Sequence, residues 1–331
     1  MERTPSKIWK KRKWFRKIWW LVSILLLFFI LVFLVGVFHG RFNFKYEKIE
    51  IQYDNLPAGL EGFTIVHISD LHLNSFKKHK DKLIEVIDSI NSYEPDMIAN
   101  TGDFVTFLWT EMEPFIGTLA SMKSKYGVYN IPGNHDTGLY SSDYNSNNYY
   151  EHLEIIGDML RSSGHIYLDD TSTIINVDTF AVSVTGVETY GRIPDISFGD
   201  VDEAMTGIDN PDFTIVLSHD PNHWIRDIQY REDVNLTLSG HTHGMQMGIR
   251  LPGFELSPAR LLSPAWGGLY GNNNNYLYVN RGLGTIGIPA RIGMPPEITI
   301  ITLKAEAKAK AKASSFSSYS VLAPASFRYS L

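Results

Sequence analysis

Five short clusters of aspartate, histidine and asparagine occur in order between residues 70 and 243, and each comes directly after an apolar run. Side chains of these types bind divalent metal ions through carboxylate, imidazole and amide atoms. One Asp-X-His sequence would mean little, but five clusters placed in this way indicate a metal site. The clusters are Asp70-Leu-His72, Gly102-Asp103, Gly133-Asn134-His135-Asp136, Ser218-His219 and Gly240-His241-Thr242-His243.

The candidate ligands are sufficient for two ions that share one carboxylate. Asp103 is the natural bridge, because its two oxygens can face two ions. Two ions about 3.5–4 Å apart stabilise both the attacking and the leaving oxygen of a displacement at phosphorus, and they acidify a water held between them. Ligands without sulfur fit Mn²⁺, Fe²⁺ or Zn²⁺, so we predict two such ions and hydrolysis of phosphate esters. The first predicted set is Asp70, His72, Asp103 and His243, and the second is Asp103, Asn134, His219 and His241.

His135 differs from the other histidines of the clusters because it directly follows Asn134. Neighbouring side chains on an extended backbone cannot easily reach the same ion. We therefore expect His135 beside the ions as a catalytic residue, where it could stabilise developing negative charge or protonate the leaving alkoxide. Asp136 is expected to orient the His135 ring and to favour its protonated form. Asp220 is expected to lie behind a ligand as a supporting partner.

The runs that precede the clusters have the composition of buried strands, and open α/β sheets place their active sites at the carboxyl ends of strands. Residues 80–91 carry apolar side chains at helical spacing, and residues 111–123 are also expected to be helical. Alternation of strands and helices predicts sheets covered by helices. Residues 173–177, 180–185 and 297–303 are expected to be antiparallel strands. The runs before the clusters are residues 63–68, 97–100, 128–131, 213–217 and 236–239.

Taken together, the clusters resemble the motifs of the calcineurin-like metallophosphoesterase family over nearly all of residues 63–303. The resemblance implies an α/β (α+β) fold, a four-layer αββα double β-sandwich flanked by helices. It also implies a two-metal site at the strand ends and hydrolysis of phosphomonoesters, phosphodiesters or pyrophosphates. Within the resemblance His135 is the catalytic histidine. The implied metal ligands are Asp70, His72, Asp103, Asn134, His219, His241 and His243.

The N-terminal region, residues 240–246 and Arg281-Gly282-Leu283-Gly284 resemble the small membrane-anchored bacterial branch of that family. Where the branch commonly has a second glycine after the last histidine motif, this chain has Met245, which is expected to narrow the rim of the pocket. Some membrane-associated relatives cleave the pyrophosphate of UDP-2,3-diacylglucosamine in lipid A synthesis, and this activity is the alternative function. A non-catalytic scaffold is a further alternative, although degenerate members of that kind lack ligands and the catalytic histidine.

Residues 18–38 form an apolar run without a charge, long enough to cross a bilayer as a helix. Trp14, Trp19 and Trp20 lie at its start, where indole rings favour the membrane interface. A cleaved signal peptide is the alternative, but its apolar region is normally shorter and ends at a small-residue cleavage site. We therefore predict a retained single-pass anchor in the cell (inner or plasma) membrane.

Charge predicts how this anchor is oriented. Eight lysines and arginines lie among residues 1–17, whereas three follow the apolar run before residue 50. The positive-inside rule then places the N-terminus in the cytoplasm and the catalytic domain outside it. The basic segment either only sets this topology or also binds anionic lipid head groups. The expected partners are membrane lipids and a phosphate-ester or lipid-linked phosphate substrate.

Composition excludes several other chemistries. The formal net charge of -6 argues against nucleic acid as a partner. The absence of cysteine excludes disulfides, thiolate metal ligands and cysteine nucleophiles.

The sequence divides into five predicted regions. Residues 138–150 and 267–275 are expected to be loops of the catalytic region; the tyrosines of the first could stack on a base or a sugar, or only pack the loop, and the asparagines of the second are expected to be solvated. The regions are a basic cytoplasmic segment (1–17), a transmembrane helix (18–38), a juxtamembrane linker (39–49), a calcineurin-like metallophosphoesterase domain (50–304) and a flexible tail (305–331).

Overall fold

The computed structural model describes residues 7–142, 149–188, 199–272 and 274–306, with backbone alone for residues 7–13 and 272. The α-helices are α1 (Lys7–Phe38), α2 (Lys80–Ser92), α3 (Ile116–Leu119), α4 (Tyr149–Ser162), α5 (Val201–Ala204) and α6 (Pro221–Arg226). The strands are β1 (Lys45–Tyr53), β2 (Thr64–Ile68), β3 (Met97–Asn100), β4 (Val128–Asn130), β5 (Ile166–Tyr167), β6 (Thr171–Val177), β7 (Phe180–Gly186), β8 (Phe213–Leu217), β9 (Leu236–Ser239), β10 (Ile249–Leu251), β11 (Phe254–Leu256), β12 (Gly268–Asn272), β13 (Asn275–Val279) and β14 (Glu297–Ala305).

Within the described residues, the strands form two six-stranded sheets and a separate antiparallel hairpin of β10 and β11. The first sheet has the order β1-β14-β2-β3-β4-β5, in which β2 to β5 run parallel and β14 is antiparallel to β2. The second sheet has the order β12-β13-β9-β8-β7-β6, with parallel strands from β13 to β7 and antiparallel strands at both edges. The parallel strands of each sheet therefore bring the residues that follow them to a common edge.

Each sheet is buried on both faces, which explains the continuous apolar runs of the central strands. In β2, Ile65 packs between the two sheets, whereas Val66 belongs to the core under the helices of the first sheet. In β8, Ile215 packs between the sheets and Val216 belongs to the core beneath α5 and α6. The four-layer αββα arrangement expected from the resemblance is thus confirmed.

Helix α1 is, within the described residues, the one helix long and apolar enough to cross a membrane. From Trp14 onward its large apolar side chains are mostly exposed, as expected of a segment that faces lipid. Strand β1 begins at Lys45 and pairs with β14, so residues 45–49, expected in the linker, belong to the sheet. Strand β14 ends at Ala305, and residues 307–331 of the predicted tail lie outside the described residues.

The segment 111–123, expected to be one helix, instead forms short turns around the four-residue helix α3. Pro114 has no backbone N–H to continue a helix. The apolar residues of the segment nevertheless reach the core, where Phe115, Leu119 and Met122 are buried. The apolar spacing predicted burial correctly, whereas the helical geometry was wrong.

Residues 267–275, expected to be a solvated loop, include strand β12 and the first residue of β13, which pair as a hairpin. The last residue of the asparagine run, Asn275, is buried, and its Oδ1 accepts a hydrogen bond from Trp224 Nε1 at 2.8 Å. Its Nδ2 donates to the carbonyls of Ile228 and Arg231 at 2.9 and 3.0 Å. All three partners lie more than 40 residues away in sequence, so composition alone could not reveal this role.

Candidate metal centre

The predicted ligands follow the carboxyl ends of strands in both sheets, and five of them have a positive φ. This left-handed conformation is uncommon for residues other than glycine. It costs on the order of 1–3 kcal/mol per residue and tends to occur at functional sites. The chain therefore turns sharply and at some cost where the predicted ligands begin. The φ angles are 50° at Asp70, 38° at His72, 57° at Asp103, 71° at His241 and 50° at His243.

The structure brings the first predicted set, Asp70, His72, Asp103 and His243, into one cluster. The Nε2 atoms of His72 and His243 are 3.1 Å apart, and His243 Nε2 lies 3.2 Å from Asp70 Oδ1. His72 Nε2 lies 3.7 Å from Asp103 Oδ2. One ligand atom from each of the four side chains lies within 4.8 Å of the others. Ligands at about 2.0–2.2 Å from a common ion have spacings of this size.

The second predicted set also converges, and Asp103 belongs to both. Its Oδ2 lies 3.2 Å from His219 Nε2. One ligand atom from each of Asp103, His219 and His241 lies within 4.8 Å of the others. The Oδ1 of Asn134 lies 2.7 Å from His241 Nδ1 and 3.1 Å from His219 Nε2. The shared carboxylate predicted from the sequence is therefore placed between the two groups of ligand atoms.

The charges in the site fit divalent cations. Asp70 and Asp103 are 0% and 1% exposed. Burial alone would raise the pKa of these carboxyls, but the facing histidines hold both pKa values well below the usual range. Burial lowers the pKa of His72 to about 3 and also lowers the pKa of His241, so their ring nitrogens keep lone pairs at neutral pH. Two buried carboxylates need compensating positive charge, and divalent ions bound by these oxygens and imidazoles would supply it.

Three histidine rings are oriented by one segment of backbone, residues 101–106, which follows β3. Each ring places its Nδ1 against a carbonyl of this segment. Because a carbonyl only accepts, Nδ1 carries a proton in each ring, and Nε2 is the nitrogen left to bind an ion or a second proton. Burial would lower the pKa of His219, but Asp103 raises it to about 10, so an ion would take the place of a second proton on this ring. Such support fixes both the tautomer and the orientation of a ligand. The pairs are His72 with Val105 at 3.1 Å, His135 with Thr106 at 2.8 Å and His219 with Thr101 at 2.6 Å.

His135 borders the ligand groups without belonging to either of them. Its ring centroid is 5.0 Å from that of His72, and its backbone N–H donates to Asp103 Oδ1 at 2.8 Å. The ring of Tyr140 stacks on His135 with centroids 4.0 Å apart, and the Tyr140 hydroxyl accepts from Asn134 Nδ2 at 3.1 Å. One tyrosine of the predicted loop 138–150 therefore packs against the site. Residues 143–148 of this loop lie outside the described residues.

Asp136 does not contact the His135 ring, so the predicted orienting role is corrected. Its Oδ2 accepts from the backbone N–H groups of Asp103 and Gly133, both at 2.8 Å, and its Oδ1 accepts from Val105 N at 3.1 Å. The fully buried carboxyl thus ties the loop after β4 to the loop after β3. A backbone carbonyl supports His135 instead, and a sequence motif cannot indicate such a partner.

Asp220, expected behind a ligand, caps α6. Its side chain accepts from the backbone N–H and the side-chain amide of Asn222, both at 2.8 Å. The helix begins with Pro221 directly after it, a common arrangement at helix N-termini. Burial lowers the pKa of the predicted ligand His241, and the nearby charge of Asp220 opposes this.

Arg291 is a supporting residue that the sequence reasoning missed. It is 1% exposed, and its guanidinium donates to the carbonyls of Gly282 and Gly284 at 3.0 and 2.7 Å. Its Nη2 also lies 3.3 Å from His243 Nδ1. No neighbouring motif singles out this arginine, because its partners come from separate loops.

Met245 has a φ of 48° and lies between Gly244 and Gln246, whose φ angles are also positive. The side chain is 46% exposed. Met245 therefore has a left-handed backbone conformation, which suits glycine, at the position where the membrane-anchored branch commonly has glycine. Its predicted effect on the pocket rim stays a prediction.

Comparison with known proteins agrees with this arrangement. The model of the calcineurin-like phosphoesterase family matches residues 63–245. The uncharacterized metallophosphoesterase YkuE of Bacillus subtilis is 31% identical over 259 residues, which cover 76% of this chain and 82% of that protein. A second B. subtilis protein, the uncharacterized metallophosphoesterase YkoQ, is 28% identical over 286 residues. This match covers 84% of this chain and 98% of that protein.

A vertebrate protein is similar as well. The transmembrane protein with metallophosphoesterase domain of Danio rerio is 30% identical over 268 residues. The match covers 78% of this chain but 57% of that relative, so the chain spans little more than half of its length.

Proposed function

The chain belongs to the calcineurin-like phosphoesterase family and is a hydrolase of phosphoester bonds, and on this premise we propose that it is a membrane-anchored enzyme with two ion sites. In this proposal the site would hold two divalent ions, Mn²⁺, Fe²⁺ or Zn²⁺, whose charge would activate water for hydrolysis of a phosphomonoester or phosphodiester. The observation that carries it is the convergence of two ligand groups on one shared carboxylate, that of Asp103.

Each residue of the site has a role in this proposal. Bound divalent ions supply charge that stabilises phosphoryl oxygens and acidifies water. The first ligand group would hold one ion and the second group, with Asn134, the other. His135 donates its Nδ1 proton to the Thr106 carbonyl. In this proposal the ring enters the reaction as imidazolium, gives its Nε2 proton to the departing alkoxide and is left neutral, with its remaining proton on Nδ1. The Tyr140 ring limits the movement of His135 through stacking.

We further propose that the substrate is a lipid-linked phosphate ester and that the catalytic domain, residues 50–304 of the predicted division, lies outside the cytoplasm. Support comes from the apolar helix α1 and from the excess of basic residues before it. A substrate with a lipid part would be concentrated in the membrane that holds the enzyme.

The direct test uses the full chain in detergent with Mn²⁺, with bis-p-nitrophenyl phosphate and p-nitrophenyl phosphate as substrates. We expect hydrolysis that a chelator abolishes and Mn²⁺ restores. Replacement of the shared ligand, Asp103→Ala, should reduce the rate to background and lower the metal content, since both ligand groups lose the same oxygen atoms. Full activity of this variant would contradict the two-ion assignment.

The preference between the two substrates then directs the search for the natural one. Preferred cleavage of the diester or the monoester selects the class of lipid-linked phosphate to be tested. Protein that binds two metal ions but cleaves neither ester would favour the alternative, a UDP-2,3-diacylglucosamine-type pyrophosphatase. Protein that binds no transition metal would favour a non-catalytic scaffold.

A further inference from the structure

In the hairpin of β10 and β11 the apolar side chains face outward, which is the reverse of the usual arrangement in a soluble hairpin. Cross-strand partners lie on the same face of a hairpin, and here Ile249 pairs with Leu256 and Leu251 pairs with Phe254. These four residues form what we call the apolar hairpin face, and their side chains are 44–58% exposed. A soluble hairpin normally turns such a face towards the core.

The opposite face of the hairpin is polar and is fixed to the body. Arg250 and Glu255 form a cross-strand ion pair. Arg250 also binds Glu47 of β1 with an Nη1–Oε1 distance of 2.9 Å, and Glu255 also pairs with the buried guanidinium of Arg281. These ion pairs hold the hairpin with its apolar face outward, so the exposure follows from the fold and not from a missing contact with the body.

The exposed apolar surface continues into the turn after the hairpin. Leu261 and Leu262 are 88% and 75% exposed. Residues 249–262 are all described, and the fully exposed residues among them are apolar or glycine apart from Arg260. No described residue covers this surface. An apolar surface with a basic residue suits a membrane with anionic head groups.

This surface is connected to the end of the apolar helix α1. Gly36 of α1 accepts a hydrogen bond from Arg291 N at 3.2 Å, and a Cβ atom at Gly36 would lie 2.7 Å from Ile292 Cγ1. Ile292 O in turn accepts from Gly248 N at 2.9 Å, directly before β10. Gly36 lies two residues, or about 3 Å, inside the last turn of α1. The segment that leads into the hairpin is therefore held at the end of α1, where this helix would leave the membrane.

We propose that the apolar hairpin face and the Leu261–Leu262 turn insert into the interfacial layer of the bilayer that α1 crosses. The inserted surface lies close to the metal centre, because Ile249 follows His243 by six positions and such a segment spans at most about 22 Å. The metal centre is then held against the lipid surface, where it reaches phosphate groups on molecules whose apolar part stays in the bilayer. This last step rests on the proposed enzymatic function, whereas the insertion itself rests only on the proposed membrane anchor.

The test measures the depth of spin labels in the full chain reconstituted into vesicles of phosphatidylcholine and phosphatidylglycerol. The chain has no cysteine, so Leu251→Cys and Leu261→Cys each give one labelled site. Tyr230→Cys is the matched control, because Tyr230 is 75% exposed and lies in a turn between α6 and β9. We expect the nitroxides at residues 251 and 261 to be accessible to oxygen and protected from a water-soluble nickel complex, with the reverse at residue 230.

Two results would overturn the insertion. Nickel accessibility at residues 251 and 261 equal to that at residue 230 would place the surface in water. Protection from both oxygen and nickel would indicate cover by protein. Loss of that protection on truncation after residue 306 would then assign the cover to residues 307–331, and dipolar broadening between labels would assign it to a second copy.

Hydrolysis of bis-p-nitrophenyl phosphate by the same labelled variants separates this inference from the proposed function. This water-soluble ester does not require membrane insertion. Labels in water with intact hydrolysis would overturn the insertion alone. Labels in lipid without metal-dependent hydrolysis would overturn the proposed enzymatic function and leave the insertion supported.

Discussion

The His135 ring is held by a hydrogen bond from Nδ1 to the Thr106 carbonyl and by the stacked ring of Tyr140. Among the described residues, His135 belongs to neither group of side chains that could hold an ion. Three histidines contact the carboxylate of Asp103, but in different ways. His72 and His219 contact it through a side-chain nitrogen, as metal ligands would. His135 contacts it through its backbone N–H, so its ring is left for another role in the proposal.

We therefore predict that His135→Ala lowers kcat by about 10²–10⁴ and leaves the metal content unchanged. Tyr140→Phe is the control, because it keeps the stacked ring and removes only the hydroxyl that accepts from Asn134; it should cost less than about tenfold. Rates with bis-p-nitrophenyl phosphate and metal analysis of both purified variants check this. Loss of metal from the His135 variant would instead make this residue a ligand.

A buried carboxyl away from the metal centre gives a pH dependence. Glu188, which follows β7, accepts a hydrogen bond from the Tyr149 hydroxyl at the start of α4. Burial raises the pKa of Glu188 from 4.5 to about 7. A carboxyl with a raised pKa binds its proton more tightly in the folded state, so its contribution to stability is complete below pH 4.5 and is lost as the pH rises towards 7.

Glu188→Gln should remove this part of the pH dependence, because glutamine stays neutral and its amide oxygen can still accept from Tyr149. We expect the melting temperature of the variant relative to the parent chain to rise between pH 4.5 and pH 7. Thermal unfolding in detergent across this range measures the difference. A difference that does not change with pH would show that Glu188 titrates normally in the folded protein.

At the level of elements, the chain packs on the body through two glycines spaced by four residues, Gly36 in the last turn of α1 and Gly40 in the short turn after its end. Small residues at this spacing allow close helix packing in membranes. Here they admit the backbone of Arg291, since a Cβ atom at Gly40 would lie 2.0 Å from the Arg291 carbonyl oxygen. The contact links the anchor to a residue that supports the metal centre, because Arg291 Nη2 lies 3.3 Å from His243 Nδ1.

Gly40→Ala should therefore displace the Arg291 backbone and lower both stability, by about 1–3 kcal/mol, and the rate with a water-soluble ester. Gly117→Ala in α3 is the matched control, because nothing lies within 4 Å of a Cβ atom at Gly117. Thermal unfolding and hydrolysis of bis-p-nitrophenyl phosphate by both variants check this. If the two variants behave alike, the packing of α1 does not support the site.

The sequence predicted best those elements that depend only on the residues within them. The runs at residues 97–100, 213–217 and 236–239 are strands with the same bounds in the structure. The clusters of ligand types also predicted which side chains meet, because strands in these sheets end at common edges. Helix 111–123 was wrong because Pro114 interrupts it, and the buried role of Asn275 depends on partners brought by distant segments.

The supporting contacts of the site could not be predicted for the same reason. The carbonyls that orient three histidines come from residues 101–106, whose side chains give no indication of what their backbone binds. Asp136 was given a catalytic role from its position next to His135, yet adjacent residues need not share a partner. Its three backbone donors lie in two loops that only the folded sheets bring together.

At the level of the whole molecule, the anchor, the apolar hairpin face and the metal centre form one connected structure. Helix α1 contacts Arg291 and Ile292, and these residues contact the segment that joins His243 to β10. The distance between the metal centre and the membrane that we propose α1 crosses is thus set by packing and not by a flexible linker. The side of the membrane on which the centre lies then decides which phosphate esters it can meet.

The charge bias around α1 predicts that this side is outside the cytoplasm. A membrane-impermeant maleimide applied to intact cells should label Tyr230→Cys and should not label Ser6→Cys until the membrane is permeabilised. Each variant has one cysteine because the parent chain has none, and Tyr230 is 75% exposed, so labelling reports the position of the body directly. The reverse pattern would place the metal centre in the cytoplasm. Since UDP-linked lipid substrates are cytoplasmic, that result would favour the pyrophosphatase alternative over an ester of the outer surface.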